Sequence, residues 1–245
     1  MASRAADLPM ARRADWRTAL PALLRLLSDA GDTAQVFRIM QALNGGVIQR
    51  NYDRLIRTRE GGRIAFEHVE LAERFGDPAW LAEFGAGSVG AAYAEFLRAT
   101  GFSAQGLAEV GRVVHPERIE HPYAWFGRRQ RDTHDVWHVL TGYAANAPLG
   151  EACLVAFTYA QTGGPGWALI AIGIALKAIA RPHTLKVGRA LWEGYRNGRA
   201  AAWLAGEDYE RLFAEPIDTA RARLRIKPAR RYQEARAALA ADGAL

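Results

Sequence analysis

Cysteine is nearly absent: Cys153 is the only one among 245 residues. An internal disulfide and any cysteine-rich zinc module are therefore excluded. A single thiol also fits a reducing compartment. Long apolar runs are missing as well. The longest, Trp167 to Leu176, is followed at once by Lys177 and reaches about half the length of a membrane-crossing helix. An earlier apolar segment, Leu20 to Leu27, is interrupted by Pro21 and Arg25 and lacks the continuous core of a secretory signal. Strand alternation is scarce, with Val47 to Ile48 and Gly62 to Phe66 as the short candidates. No repeat period, low-complexity tract or nucleic-acid-binding module appears. These absences leave a soluble or membrane-peripheral chain of ordinary globular composition, half hydrophobic and about a quarter charged.

What is present is a helical period almost throughout. Leu20, Leu23, Leu24 and Leu27 share one stripe, and so do Val36, Ile39, Met40 and Leu43. Gly45-Gly46 reads as a stop for the second run. Asp77 is placed to cap a helix that Pro78 opens. Further helices are expected over Val89 to Leu97, Ala104 to Val110, Pro122 to about Tyr143 and Leu149 to Thr162. The run Gly163-Gly164-Pro165-Gly166 then breaks the chain. Two long apolar helices follow, Trp167 to Ala180 and Thr184 to about Leu204, separated by Arg181-Pro182. Pro216 and Pro228 open two more, and Arg57 to Gly62 reads as a polar loop. The prediction is all-α: a single-domain multi-helix bundle over residues 1–245, with a flexible basic segment at 1–15 and a metal site between adjacent helices.

The net charge of +6 and the pI near 9.8 favour an anionic partner: nucleic acid, anionic lipid or an acidic small molecule. Arginine-rich usage without specific meaning accounts for the charge equally well.

The informative stretch is Arg131-Asp132-Thr133-His134-Asp135-Val136-Trp137-His138, followed by Gly142 and Glu151. On a helix, residues four apart differ by about 40° in azimuth, so His134 and His138 stack along one face. Asp135 lies about 60° from His138, still on that broad face. The segment from Tyr143 to Gly150 reads as a turn that brings Glu151 back toward both histidines. Two imidazoles and two carboxylates make an N2O2 donor set suited to zinc, and also to iron(II), manganese or cobalt. Asp135 could instead orient a histidine from behind. The bland alternative is a polar helix surface on which the histidine pair is incidental.

Here the chain resembles a known family, the coenzyme Q biosynthesis protein four family. Its hallmark, His-Asp-x-x-His with a later glycine and glutamate, matches His134-Asp135-Val136-Trp137-His138, Gly142 and Gly150-Glu151. Gly87-Ser88-Val89-Gly90 with Tyr93 and Phe96-Leu97 is similar to a second family segment. Gln161-Thr162-Gly163 with Pro165, then Asn197-Gly198-Arg199 and Tyr209-Glu210, resemble later ones. The matches fall in order over roughly residues 20 to 225. The interval from His138 to Glu151 is one residue longer than the common family spacing, with the extra residue assigned to the Ala144 to Pro148 turn.

The resemblance implies a helical fold, a bound zinc or similar divalent ion, and a membrane-peripheral location at the inner face of the cytoplasmic membrane. It also implies removal of the ring carboxylate from a polyprenylated 4-hydroxybenzoate-type compound, coupled in the family to hydroxylation of that carbon. The implied partners are the prenylated intermediate and other ubiquinone-biosynthesis proteins; the basic charge adds peripheral contact with an anionic membrane, and a homodimer is one option. Nucleic acid is not among them.

Arg128, Arg129 and Arg131, just before the motif, read equally as a solvated basic turn and as a site for a substrate carboxylate or phosphate, since the guanidinium fork suits paired oxygens. Arg129 and Arg131 match basic positions of the family and are the two expected to bind substrate. The segment Trp167 to Ala180 reads as core or as the wall of an isoprenoid tunnel. Trp137, Trp167, Trp192 and Trp203 read as core or as interfacial anchors. Two functions compete: a metal-dependent decarboxylase, and a non-catalytic organiser that holds prenylated intermediates around a structural metal. A closed four-ligand site would favour the organiser, and an open coordination position the enzyme.

Overall fold

Asp15 begins the first helix. Its carboxylate accepts from the amides of Arg17 and Thr18 at 3.1 and 3.2 Å, groups that have no partner inside the helix. Helix α1 then spans Trp16–Ser28 and turns Ala19, Ala22, Leu23 and Leu26 inward. The computed structural model describes residues 14–29, 31–103, 106, 109, 121–178 and 183–243. Nearly all of the basic start, most of the expected helix Ala104 to Val110 and the Arg181-Pro182 break lie outside these residues.

The described residues form α-helices, one 3-10 turn and no strand; their single β-type pairing is the isolated bridge of Ser88 with Pro216. Helix α2 (Thr33–Leu43) is followed after Asn44 by α3 (Gly45–Leu55). Helix α2 therefore ends just before Gly45-Gly46, as expected, at a bend where the same pair opens the next helix. Asn44 explains the bend, because its side-chain oxygen accepts from the Gly166 amide at 2.9 Å and ties this corner to a distant helix start. Val47 and Ile48 are helical, and Gly62 to Phe66 lie in α4 (Arg59–Glu67). Both strand candidates are thus overturned: two or three apolar neighbours are too few to set a period. The supposed loop Arg57 to Gly62 holds the start of α4, where Thr58 Oγ1 accepts from the Gly61 amide at 3.0 Å.

Two short helices, α5 (Leu71–Phe75) and α6 (Pro78–Ala82), lead to α7 (Val89–Thr100). Asp77 caps α6 as expected, accepting from the Ala79 amide at 2.9 Å. The expected single helix from Pro122 to Tyr143 is two, α8 (Pro122–Asp132) and α9 (His134–Thr141). Thr133 divides them: its hydroxyl donates back to the Gln130 carbonyl at 3.2 Å, a local bond that bends helices.

The long helices are α10 (Pro148–Thr162), α11 (Pro165–Ala178) and α12 (Thr184–Ala200). Helix α10 is buried along most of its length, and α12 lies on it through glycines. A β-carbon at Gly194 would stand 2.6 Å from the Cys153 carbonyl oxygen, and one at Gly198 2.5 Å from that of Phe157. The 3-10 turn Leu204–Gly206, α13 (Tyr209–Ala214), α14 (Ile217–Arg223) and α15 (Arg230–Ala241) complete the order. The main core gathers Phe75, Tyr93, Trp125, Phe126, Trp137, Phe157 and Phe213. A smaller core joins α1, α2 and α11.

Candidate metal centre

Helix α9 turns Val136, Trp137 and Leu140 into the core, and that burial sets its rotation. Trp137 fixes it further: its indole N–H donates to the Tyr209 hydroxyl at 2.6 Å, and that hydroxyl donates to the Leu204 carbonyl at 2.9 Å. The last carbonyls of α9, Val139 and Leu140, accept from Arg221 at 3.1 and 3.0 Å. Gly142, with φ +75°, ends the helix in the left-handed conformation that glycine adopts without strain. The turn then packs on Gly150, so α10 opens beside α9 with Glu151 in its first turn.

His134, His138 and Glu151 converge: one ligand atom from each lies within 4.8 Å of the others. His138 Nε2 stands 3.2 Å from Glu151 Oε1, and His134 Nε2 stands 3.7 Å from Oε2. The two imidazoles are 4.9 Å apart at 76°. His138 is buried under the ring of Phe96, stacked at 6.1 Å. His134 and Glu151 are partly exposed, so one edge of the cluster opens outward.

Hydrogen bonds on the far side of each ring settle what faces the centre. His138 Nδ1 lies 2.8 Å from the Tyr143 carbonyl oxygen, an acceptor only, so that nitrogen carries the proton. His134 Nδ1 lies 3.2 Å from Asp135 Oδ1 and donates in the same way. Both Nε2 atoms then present lone pairs toward the Glu151 carboxylate. The His138 Nε2 atom is buried and makes no hydrogen bond; Glu151 is near enough but not in line with the ring. Three electron-pair donors that face one point form an arrangement a cation would suit. Without a metal, the compensation falls on protons. Burial disfavours charge on His134, but Asp135 and Glu151 outweigh it and raise that group above its usual value. Burial opposes charge on Glu151 too, yet the charge that His134 takes up holds it below the usual carboxylate value.

Asp135, offered by the sequence as a ligand or as an orienting group, is buried behind His134 and meets the opposite edge of the ring. It lies outside the converging trio. Arg129 and Arg131 are already engaged elsewhere. Arg129 is buried between the rings of Trp125 and Tyr209 and donates to the Glu207 carbonyl at 2.6 Å. Arg131 grips Asp132 at 2.7 Å, whose other oxygen accepts from the Ala72 amide. Neither guanidinium forms an ion pair with the trio. Arg221, Phe96 and the Tyr143 carbonyl escaped the sequence reading. A backbone carbonyl leaves no mark in a sequence, and Arg221 lies some eighty residues from the carbonyls it holds.

Residues 7–230 match the family described as coenzyme Q (ubiquinone) biosynthesis protein Coq4. The chain belongs to the Coq4 family. Ubiquinone biosynthesis is accordingly the process it serves. Among Coq4 relatives, a mitochondrial ubiquinone biosynthesis protein COQ4 homolog from Nematostella vectensis is 33% identical over 147 residues, which are 59% of this chain and 68% of that one. The homolog from Bos taurus is 30% identical over 174 residues, 71% of this chain and 63% of that one. The match to the bovine Coq4 protein thus spans less than two thirds of its length. A crystal structure from Nostoc punctiforme superposes with a TM-score of 0.62 at 22% identity, covering 88% of this chain and all of that one. That likeness shows that the Coq4 chain shares its fold. Among the described residues, no helix is long and apolar enough to cross a membrane.

Proposed function

We propose that His134, His138 and Glu151 bind one divalent transition metal ion, zinc or iron, and that the centre removes the ring carboxylate of a polyprenylated 4-hydroxybenzoate-type compound. The observation that carries this reading is the donor count. Three protein ligands with a partly exposed edge leave a coordination position free, as in catalytic sites, whereas a structural ion is closed by four. The bound ion would supply Lewis acidity toward carboxylate or phenolate oxygen. Asp135 keeps the His134 ring in place, and the Tyr143 carbonyl does the same for His138.

In the simplest form the bond from ring carbon to carboxylate breaks, carbon dioxide leaves, and a proton takes the electron pair left on the ring. In the oxidative form dioxygen supplies a hydroxyl to that carbon, and a two-electron donor reduces its other atom to water. The organiser alternative calls for a closed structural site, which the three-donor trio does not favour.

The membrane expectation has its own support. Trp16, Leu20 and Leu24 on α1, Ile172 and Leu176 on α11, and Leu185 and Trp192 on α12 are exposed. Helix α11 packs against both of the others. Exposed cations accompany them: Arg17, Arg25, Lys177, Lys186 and Arg189. Apolar side chains edged by cations suit the interface of an anionic bilayer. The same reading puts the protein at the inner face of the cytoplasmic membrane, beside the other enzymes of the process.

Release of labelled carbon dioxide from a carboxyl-labelled prenylated hydroxybenzoate tests the activity. Turnover by wild-type protein that disappears with His138→Ala and Glu151→Gln is expected. A folded, metal-free preparation that turns over at the wild-type rate would refute the proposal.

A further inference from the structure

Helix α15 begins at Arg230, the residue at which the family match ends, yet it reaches the support of the metal centre. Tyr232 is fully buried, and its hydroxyl oxygen accepts from the Ala144 amide at 3.0 Å. Its ring meets that of Tyr143 edge-on, with centroids 5.1 Å apart and planes at 87°. The helix is seated by Glu193 of α12, whose Oε2 accepts from the amides of Arg231 and Tyr232 at 2.8 and 3.3 Å.

The amide of Ala144 and the carbonyl of Tyr143 belong to one peptide unit, which is planar and stiff. That unit is held at both ends. Tyr232 takes its N–H, and His138 Nδ1 bonds to its oxygen at 2.8 Å. Turning the plane to release one bond turns the other as well.

We infer that Tyr232 is a positioning residue for the metal centre. By holding the Tyr143–Ala144 peptide it aims the carbonyl that keeps the proton on His138 Nδ1, and so leaves Nε2 open to a cation. The inference rests on the metal reading above for its purpose, though the clamp itself does not. Tyr232 touches neither ion nor substrate and acts only through the peptide.

The test compares Tyr232→Phe, which keeps the ring against Tyr143 and removes the accepting oxygen, with Ala235→Gly. Ala235 is buried on the same helix, and its replacement loosens α15 without touching the peptide. In metal-free protein, the nitrogen-15 shifts of the His138 ring report its tautomer. Wild type and Ala235→Gly are expected to hold the proton on Nδ1, and Tyr232→Phe to show a mixture. With zinc in competition with a chromophoric chelator, Tyr232→Phe should bind about tenfold more weakly, the lower end of what losing an outer-sphere partner costs. Ala235→Gly should bind as wild type does, even where it melts at a lower temperature.

A wild-type tautomer and affinity in Tyr232→Phe would overturn the inference. Equal losses in both variants would overturn it too, because they would mark a general loosening. If wild type takes up no zinc and no cobalt, the metal reading fails, and the tautomer in metal-free protein still decides the role of Tyr232.

Discussion

Gly150 rests so tightly on Ala144 that a β-carbon would stand 2.0 Å from the Ala144 carbonyl oxygen and 2.7 Å from its nitrogen. The glycine before Glu151 is thus the contact on which the turn folds back, and it puts the carboxylate beside the histidines. Gly150→Ala must push turn and helix apart. We expect a loss of about 1–3 kcal/mol in urea unfolding, the usual cost of overpacking, together with reduced bound metal. Gly188→Ala, on an exposed part of α12 with nothing within 4 Å, should instead stabilise by about 0.5–1 kcal/mol. Equal effects at the two sites would contradict the packing argument.

Donors and orienting groups should separate in a metal titration. His138→Ala removes one of three converging donors and should abolish stoichiometric binding of zinc. Asp135→Asn keeps a bonding partner behind His134 but withdraws its charge, so the ion should remain with about 10–100-fold weaker affinity. Elemental analysis and chelator competition read both, and unchanged stoichiometry in His138→Ala would remove that residue from the ligand set.

Protons and metal compete for the same lone pairs, which gives a pH signature. In metal-free protein the fold raises His134 above its usual 6.5, so its charged form adds stability below about 6.5, lost as pH rises through the raised value. Glu151 is held below its usual 4.5, so its contribution is present above about 4.5 and is lost as pH falls through the depressed value. Both contributions coexist between those limits, where metal-free protein should melt highest relative to the metal-loaded form. The rise in Tm produced by zinc should therefore shrink as pH drops from 8 toward 6. A zinc effect that stays level across that range would speak against histidine ligation.

Cys153 is buried on α10, and that burial, with a smaller contribution from Glu193, pushes its thiol well above the usual range. A thiol so protonated and covered is a poor nucleophile. A disulfide exchange reagent should leave the folded protein unmodified and label one thiol per chain in denaturant. Rapid stoichiometric labelling without denaturant would show that α10 is less enclosed than described.

Leu24→Glu combined with Trp192→Glu places charge on two of the exposed apolar positions. Sedimentation with phosphatidylglycerol vesicles should fall at least about tenfold for the double variant, and wild-type binding should weaken as salt rises. Binding that survives both changes would move the membrane contact to another face.

Much of this was legible in the sequence because the strongest signals are local. The helical stripe of α1, the Asp77-Pro78 entry and the histidine pair each lie within a few turns of one helix. The trio itself was readable because a single short turn joins its two helices. What escaped is longer in range or silent in side-chain terms. Asn44 bends the chain at Gly45 only because Gly166 comes to meet it. The division at Thr133 depends on a hydroxyl bonding its own helix, which apolar periodicity does not register. Sequence shows the charge of Arg129 and Arg131 and hides their engagement, Arg129 donating to the Glu207 carbonyl and Arg131 to Asp132. Gln161 has a structural use, bridging the Gly198 carbonyl and the Leu204 amide.

The trio falls between residues 134 and 151, while the hydroxyl that steadies its turn arrives from 88 residues away. Closing the near contact costs little loop entropy, and closing the far one costs more. Loss of that far contact alone would therefore loosen the proposed grip on an ion while the ligand-bearing hairpin stays closed. Off-rates of metal become a gauge of the Tyr232 contact, and whatever moves that hydroxyl adjusts the proposed centre from a distance.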